Sequence, residues 1–237
     1  MGIVIFNGIS SEVYGIQVEH PPGYIFPERD YEIQHVPGRN GDVVLDTGSY
    51  RNVPRTYDIA VAAVDDNYTL AANSISEWLH SASGYARLED SYEPEYYRLA
   101  MYQEGNTIKN LFHQAGRTTI NFNCKPQRFL KYGDTPSIFT GTGILRNPTF
   151  FKSLPIITVK GSGSGALRIG DFVVQFSAIN GTTIVDSEIQ DCYFGTTNLN
   201  PNVTLSNGFP KLLPGENEIS FSGGITSVEV IPKWWTL

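Results

Sequence analysis

Three pairs of carboxylates stand close enough along the chain to act as acid and base: Asp65 with Asp66, Glu89 with Asp90, and Asp186 with Glu188. Glycoside hydrolysis needs such a pair at a set separation, one carboxyl protonated and the other ionised. Asp65 and Asp66 precede a helical pattern, where a carboxylate caps free N–H groups and suits the positive end of the helix dipole. Asp186 and Glu188 lie two apart in a strand-like run, so they share a face on which like charges repel or one binds a proton. No surrounding motif supports a hydrolytic role for any pair. None of His20, His35, His80 and His113 has a His, Cys or carboxylate at a metal-ligand spacing, and all four are expected at the surface or on edge strands. The run GSGSG (residues 161–165) has the look of a phosphate loop. It lacks the Gly-Lys-Ser/Thr of that motif, and a strand follows where a helix N-terminus would be needed, so a hairpin connection is expected. PGRNG (residues 37–41) fails on the same ground, and no G-x-S-x-G elbow is present. Cys124 and Cys192 lie far apart with no C-x-x-C spacing and read as reduced, mostly buried thiols. The residues therefore offer no catalytic, cofactor-binding or metal-binding set, and the chain does not read as an enzyme.

The composition points to architecture. Charged residues make up 17% of the 237 positions, while Gly (23), Pro (14), Tyr (13) and Phe (13) are plentiful, as suits a β-rich protein with many turns. A net charge of −7, with Lys and Arg scattered singly, argues against a nucleic-acid binder. No run approaches the roughly 18 apolar residues of a membrane span. The N-terminus has neither a basic segment nor a signal-length apolar run, so a soluble protein made in a cytoplasm is expected.

Period-2 alternation dominates. It places Tyr31, Ile33 and His35 on one face of YEIQHV, and Tyr57, Ile59, Val61 and Ala63 on one face of RTYDIAVAAV. In TTINFNC it separates Ile120, Phe122 and Cys124 from Thr119, Asn121 and Asn123; each pattern describes a strand with one buried face. Ala71, Ile75, Trp78, Leu79 and Ala82 instead recur at helical spacing. The spacing predicts one helix over residues 68–83, capped by Asp66 or Asn67 and closed by a left-handed Gly84, with Trp78 and Leu79 in the core beside Phe122. DTPSIFTGTG (residues 134–143) has no period and reads as a linker. Beyond it, PIITVKG, ALRIGDFVVQFSAI, GTTIVDSEI, NEISFSG and SVEVIP are short strands separated by turn signals, the pattern of an all-β sandwich or jelly roll. The chain is thus mainly β: residues 1–133 form a sandwich-like domain with one helix, 134–143 the linker, and 144–237 a second β-sandwich.

Several of these segments, in order, carry a family likeness. FNGISSEVYGIQVE, VPGRNGDVVLDTGSYRN, SEWLHSASGYARLEDS and NFNCKPQRFLKYG, followed by NPTFFKSLPIITVKGSGSGAL, IVDSEIQDCYF, FPKLLPGENEISFSGG and IPKWW, resemble the distal tail protein family of long-tailed bacteriophages. The resemblance covers nearly the whole chain and implies a galectin-like C-terminal domain. It also implies a virion protein at the tail tip: a ring of six copies assembled in the host cytoplasm. The tail-tube protein would lie above the ring, the tail-spike or tail-lysin protein below, and receptor-binding proteins around the rim. DNA would pass through the central channel without specific binding, past a surface whose negative charge repels phosphate. Galectins read sugars through His-Asn-Pro-Arg and Trp-Gly-x-Glu runs. Here Asn147-Pro148 follows Arg146 and precedes Thr149, and Trp234-Trp235 leads into Thr236, so that sugar-binding set is missing.

A ring closes through heterologous contacts, and a free strand edge is a ready surface for one. The stretch from His35 to Asn52 fits: Pro37-Gly38 and Asn40-Gly41 turn the chain, Val43 to Leu45 form a short strand, and a second turn closes at Gly48 before Tyr50. Pro37, Gly38, Arg39, Gly41, Val43, Leu45 and Tyr50 are the expected interface residues, with Arg39 set to pair with a neighbour's carboxylate. Two other readings remain. One is a glycan-binding module using Tyr193, Phe194, Trp234 and Trp235; the other is a wall hydrolase resting on the carboxylate pairs.

Overall fold

A computed structural model describes residues 2–62, 68–103, 109–112 and 115–237. The chain divides into two compact units, residues 1–128 with Leu237, and residues 129–236. Both are built of strands. No helix among the described residues is long and apolar enough to cross a membrane.

The first unit contains β1 (Val4–Phe6), β2 (Ile9–Ser10), a 3-10 turn (Ser11–Tyr14), β3 (Ile16–Val18), β4 (Arg29–Gln34), β5 (Val43–Tyr50), β6 (Val53–Ala62), α1 (Tyr68–Leu79), β7 (Ala86–Asp90), β8 (Tyr96–Tyr102), β9 (Lys109–Phe112) and β10 (Ala115–Leu130). Its main sheet runs β2-β1-β7-β8-β10-β6-β3, with β9 also on β10. An antiparallel bridge between Gly2 and Val18 brings the two ends of this order together, so the sheet curls round its core. The alternation read in the sequence is what fills that core. Tyr57, Ile59 and Val61 of β6 and Ile120, Phe122 and Cys124 of β10 point inward, and Trp78 and Leu79 of α1 pack onto them. Each large side chain removed from water here contributes about 1.5–3 kcal/mol. Trp78 also stacks on Tyr14 at 5.5 Å and donates its indole N–H to the carbonyl of Phe6.

The helix is shorter than its apolar spacing predicts. It stops at Leu79, His80 follows as a turn, and Gly84 is not left-handed. Ser81, Ser83 and Gly84 are poor helix formers, and no apolar residue after Ala82 prolongs the buried stripe. The expected caps at Asp66 and Asn67 lie outside the described residues.

The second unit holds β11 (Ser137–Phe139), β12 (Gly143–Asn147), β13 (Ile156–Ile169), β14 (Phe172–Asp186), β15 (Asp191–Phe194), β16 (Thr197–Asn198), β17 (Val203–Ser206), β18 (Gly215–Ile231) and β19 (Trp235–Thr236). The stretch read as a linker therefore contains a strand, β11, paired along residues 228–230 of β18. The sheet order is β11-β18-β13-β14-β15-β16, with β12 added to β18 and β17 to β14. Its three long strands each serve two layers. The GSGSG run is not a hairpin connection: it lies inside β13, and the register with both neighbours shifts between Gly161 and Gly165. SGG in β18 and NGTT in β14 likewise lie within strands rather than between them. Glycine is required there because the backbones touch: a Cβ on Gly224 would lie 1.7 Å from the carbonyl oxygen of Ser162. Ile157, Val159, Val228 and Val230 in one half of the bent strands and Leu167, Ile169, Val174 and Ile219 in the other are all fully buried, as the packing of a β-sandwich requires.

Candidate functional site

The seven expected interface residues all fall on one structure, a hairpin arm. Strands β4 and β5 pair only with each other, as a separate two-stranded sheet. The arm's tip is a type II turn. Pro37 and Gly38 occupy its central positions, Gly38 has φ +83°, and Arg39 N–H donates to the Val36 carbonyl at 3.2 Å. Gly41 lies in the same tip, and Val43, Leu45 and Tyr50 lie on β5. Gly48 does not close a second turn. The strand continues to Tyr50 through a bulge, where the register passes from Tyr31 opposite Asp46 to Arg29 opposite Tyr50.

Contrary to the alternation's promise of one buried face, neither face of the arm is covered. Ile33, 63% exposed, sits opposite Val44, 55% exposed, with Tyr31 beside them on the same face. Leu45, 50% exposed, shares the other face with Val43. An isolated strand pair is marginal in water, and a contiguous exposed apolar patch marks a protein contact. Two of the arm's arginines are matched within it, Arg29 with Asp46 at 3.4 Å and Arg51 with Asp30 at 3.1 Å, and His35 Nδ1 lies 3.1 Å from the Asp42 carboxylate. Arg39, at the tip, makes no ion pair with any described residue.

Residues on either side of the arm in sequence, Tyr24 before it and Arg55 after it, belong to a buried charge cluster. The guanidinium of Arg128 lies 4.9 Å from the ring centre of Tyr24 and 4.8 Å from that of Tyr96, and it donates to Glu93 at 2.7 Å and to the Leu237 carbonyl at 2.8 Å. Glu93 also pairs with Arg98 at 3.3 Å and with Arg55 at 3.2 Å. Arg55 donates to Asp90 at 2.8 Å, and the Tyr57 hydroxyl donates to the same carboxylate oxygen at 2.7 Å. The Arg55 and Asp90 side chains are each 5% exposed. Burial alone would raise the pKa of Asp90, but hydrogen bonds from Arg55 and Tyr57 outweigh it and hold the carboxyl below its ordinary value. Burial of Tyr57 and the neighbouring Asp90 charge push the phenol well up. Burial likewise lifts the Cys124 thiol to about 12 and the Cys192 thiol to about 11, so both are inert as nucleophiles.

The cluster was not anticipated, yet the sequence carried a signal for it. Arg55 falls on the Val53–Tyr57 face of its strand and Asp90 on the Ala86–Leu88 face, which are core-facing positions where a charge needs a partner. The remaining expectations resolve residue by residue. Glu89 turns away from Asp90 to pair with Arg87. Asp186 accepts N–H bonds from Glu188 at 3.0 Å and Ile189 at 3.3 Å, closing a turn instead of facing Glu188 as an acid–base partner. Asp65, Asp66 and His113 lie outside the described residues. Trp234, 3% exposed, is core and offers no face to a sugar, whereas Phe194 is exposed.

No protein-family model matches the chain, and no curated protein is significantly similar to it. Solved structures do match. The crystal structure of the SPP1 Dit protein (gp 19.1), described as a paradigm of the hub adsorption apparatus in phages infecting Gram-positive bacteria, aligns over 100% of both chains with TM-score 0.77 and 15% identity. A chain of the phage p2 baseplate in its activated conformation with Sr aligns over 97% of this chain and 98% of its own, with TM-score 0.53 and 11% identity. The chain has the fold of these phage proteins.

Proposed function

We propose that this chain is a structural protein of a long-tailed phage tail tip, a Dit-like hub that acts by assembly and not by catalysis. What carries the reading is the extent of the likeness to SPP1 Dit. It leaves no part of either chain uncovered, so the likeness extends over both units of this chain. The hub is a ring of six copies in the virion. The tail-tube protein lies on one side, the tail-spike or tail-lysin protein on the other, receptor-binding proteins around the rim, and a DNA channel passes through the middle. Assembly takes place in the host cytoplasm.

The arm is the contact that joins the copies. Its two faces and strand edges are left bare by the described residues, and an identical neighbour supplies the same complementary surface at every step round a ring. Arg39 at the tip then meets a neighbour's carboxylate. Electron microscopy of the purified protein tests this reading: class averages should show sixfold annuli. A chain that stays monomeric at high concentration and joins neither tube nor spike protein would end it.

A further inference from the structure

Phe150 is 93% exposed, the most exposed large apolar side chain among the described residues. It does not sit on a loose loop. Asn147, 2% exposed, donates through its amide nitrogen to the Phe151 carbonyl at 2.9 Å and the Leu212 carbonyl at 3.1 Å. The Asn147 amide oxygen accepts from Thr149 N–H at 2.9 Å, and Phe151 N–H donates to the Thr149 hydroxyl at 3.3 Å. Phe151 is stacked on Trp235 at 4.4 Å, and the Trp235 indole donates to the Lys152 carbonyl at 3.0 Å. Ser153 and Leu212 close the base by exchanging two backbone hydrogen bonds of 3.0 Å. The Asn147 and Thr149 side chains are thus spent on fixing the turn's shape, and that shape holds one phenyl ring out into water.

Exposing a ring in this way forgoes the hydrophobic gain of burying it in the free protein. In a binding partner's pocket the same ring is a preorganised anchor whose ordering cost has already been met by the turn. Leu213, opposite Lys152 across the Ser153–Leu212 bridge, extends the apolar ledge. Arg146 faces Glu216 across its strand pair, whereas exposed Lys152 has no ion pair among the described residues. We infer that the turn at residues 147–151 is a docking knob for a different protein subunit, one presenting an apolar pocket the size of a phenyl ring with a carboxylate on its rim. A glycan is the poorer fit, because sugar recognition needs hydrogen-bonding side chains beside the aromatic face, and those of Asn147 and Thr149 are already engaged.

This inference rests on the tail-tip reading, since it supplies the neighbouring subunits. The test places the photoreactive residue p-benzoylphenylalanine at position 150 of the full chain in assembled phage particles. The expected result is a crosslink to one other tail subunit, at a peptide lining an apolar pocket that contains Asp or Glu. With that subunit purified, Phe150→Ala should weaken its binding by at least about thirtyfold. The variant's melting temperature should stay within a degree or two of wild type, because the ring contributes nothing to the folded chain alone. Lys152→Glu should weaken binding as well. Particles that contain the chain but give no crosslink at 150, or only a crosslink to another copy or to polysaccharide, overturn the docking knob and leave the hub reading standing. Absence of the chain from the particles removes both.

Discussion

Asp90 and Glu89 are neighbours in the chain with opposite fates, decided by which way each points from β7. Asp90 points inward to Arg55 and Tyr57, and removing one member of such a buried pair leaves the other charge uncompensated. Asp90→Ala should therefore lower the unfolding free energy by about 3–5 kcal/mol, read from urea melts; a loss under about 1 kcal/mol would mean that the cluster is effectively solvated. The same carboxylate sets an acid limb. Its folded pKa lies below the unfolded value near 3.9, so the folded state binds fewer protons in acid. The stability it contributes is complete above about pH 4 to 5 and fades as pH falls through the folded value. The melting temperature should drop more steeply in that window for the wild type than for Asp90→Asn. A second residue-scale test concerns Gly224. Adding a Cβ there forces two strand backbones apart and should cost about 1–3 kcal/mol or more, whereas Gly141→Ala, with nothing within 4 Å, should change stability by under about 0.5 kcal/mol.

At the scale of elements, the arm shows what alternation can and cannot convey. Pro37-Gly38 announces its turn because those residues suit the two central positions of a type II turn, and the turn forms where they stand. Alternation along Tyr31 and Ile33, however, says only that one face is apolar. It does not say whether the cover comes from the same chain, and among the described residues no element covers this arm. The bends of β13 and β18 were hidden for a related reason. Glycine serves tight turns and close strand crossings alike, and only the three-dimensional approach of Ser162 to Gly224 tells them apart. The exposure of the arm yields its own prediction. Ile33→Asp with Val44→Asp places charge on a face that the single chain leaves bare, so the melting temperature of the monomer should hardly move. Oligomers seen by sedimentation should disappear, and Arg39→Glu should weaken them in the same direction. Unchanged oligomer peaks in both variants would move the ring contact elsewhere.

For the molecule as a whole, composition foretold more than any motif did. The β-rich, turn-rich chain with one helix is what its Gly, Tyr and Phe content and its period-2 runs describe, and the buried Trp78–Leu79–Phe122 core follows from their spacing. The partners of Arg55 and Arg128 were not legible, since they come from strands and loops far away in sequence. Net charge makes one further prediction at this scale. In the proposed ring, copies that each carry −7 would repel one another at a distance, while the arm would meet its neighbour mainly through apolar side chains, its Arg29 and Arg51 already being paired with Asp46 and Asp30. Salt shortens the reach of the repulsion from about 10 Å at 0.1 M to about 3 Å at 1 M and leaves the apolar contact in place. Raising NaCl from 50 mM to 500 mM should therefore shift sedimentation profiles toward the larger species. Dissociation by salt would instead show that exposed ion pairs, with Arg39 foremost, supply most of the cohesion between copies.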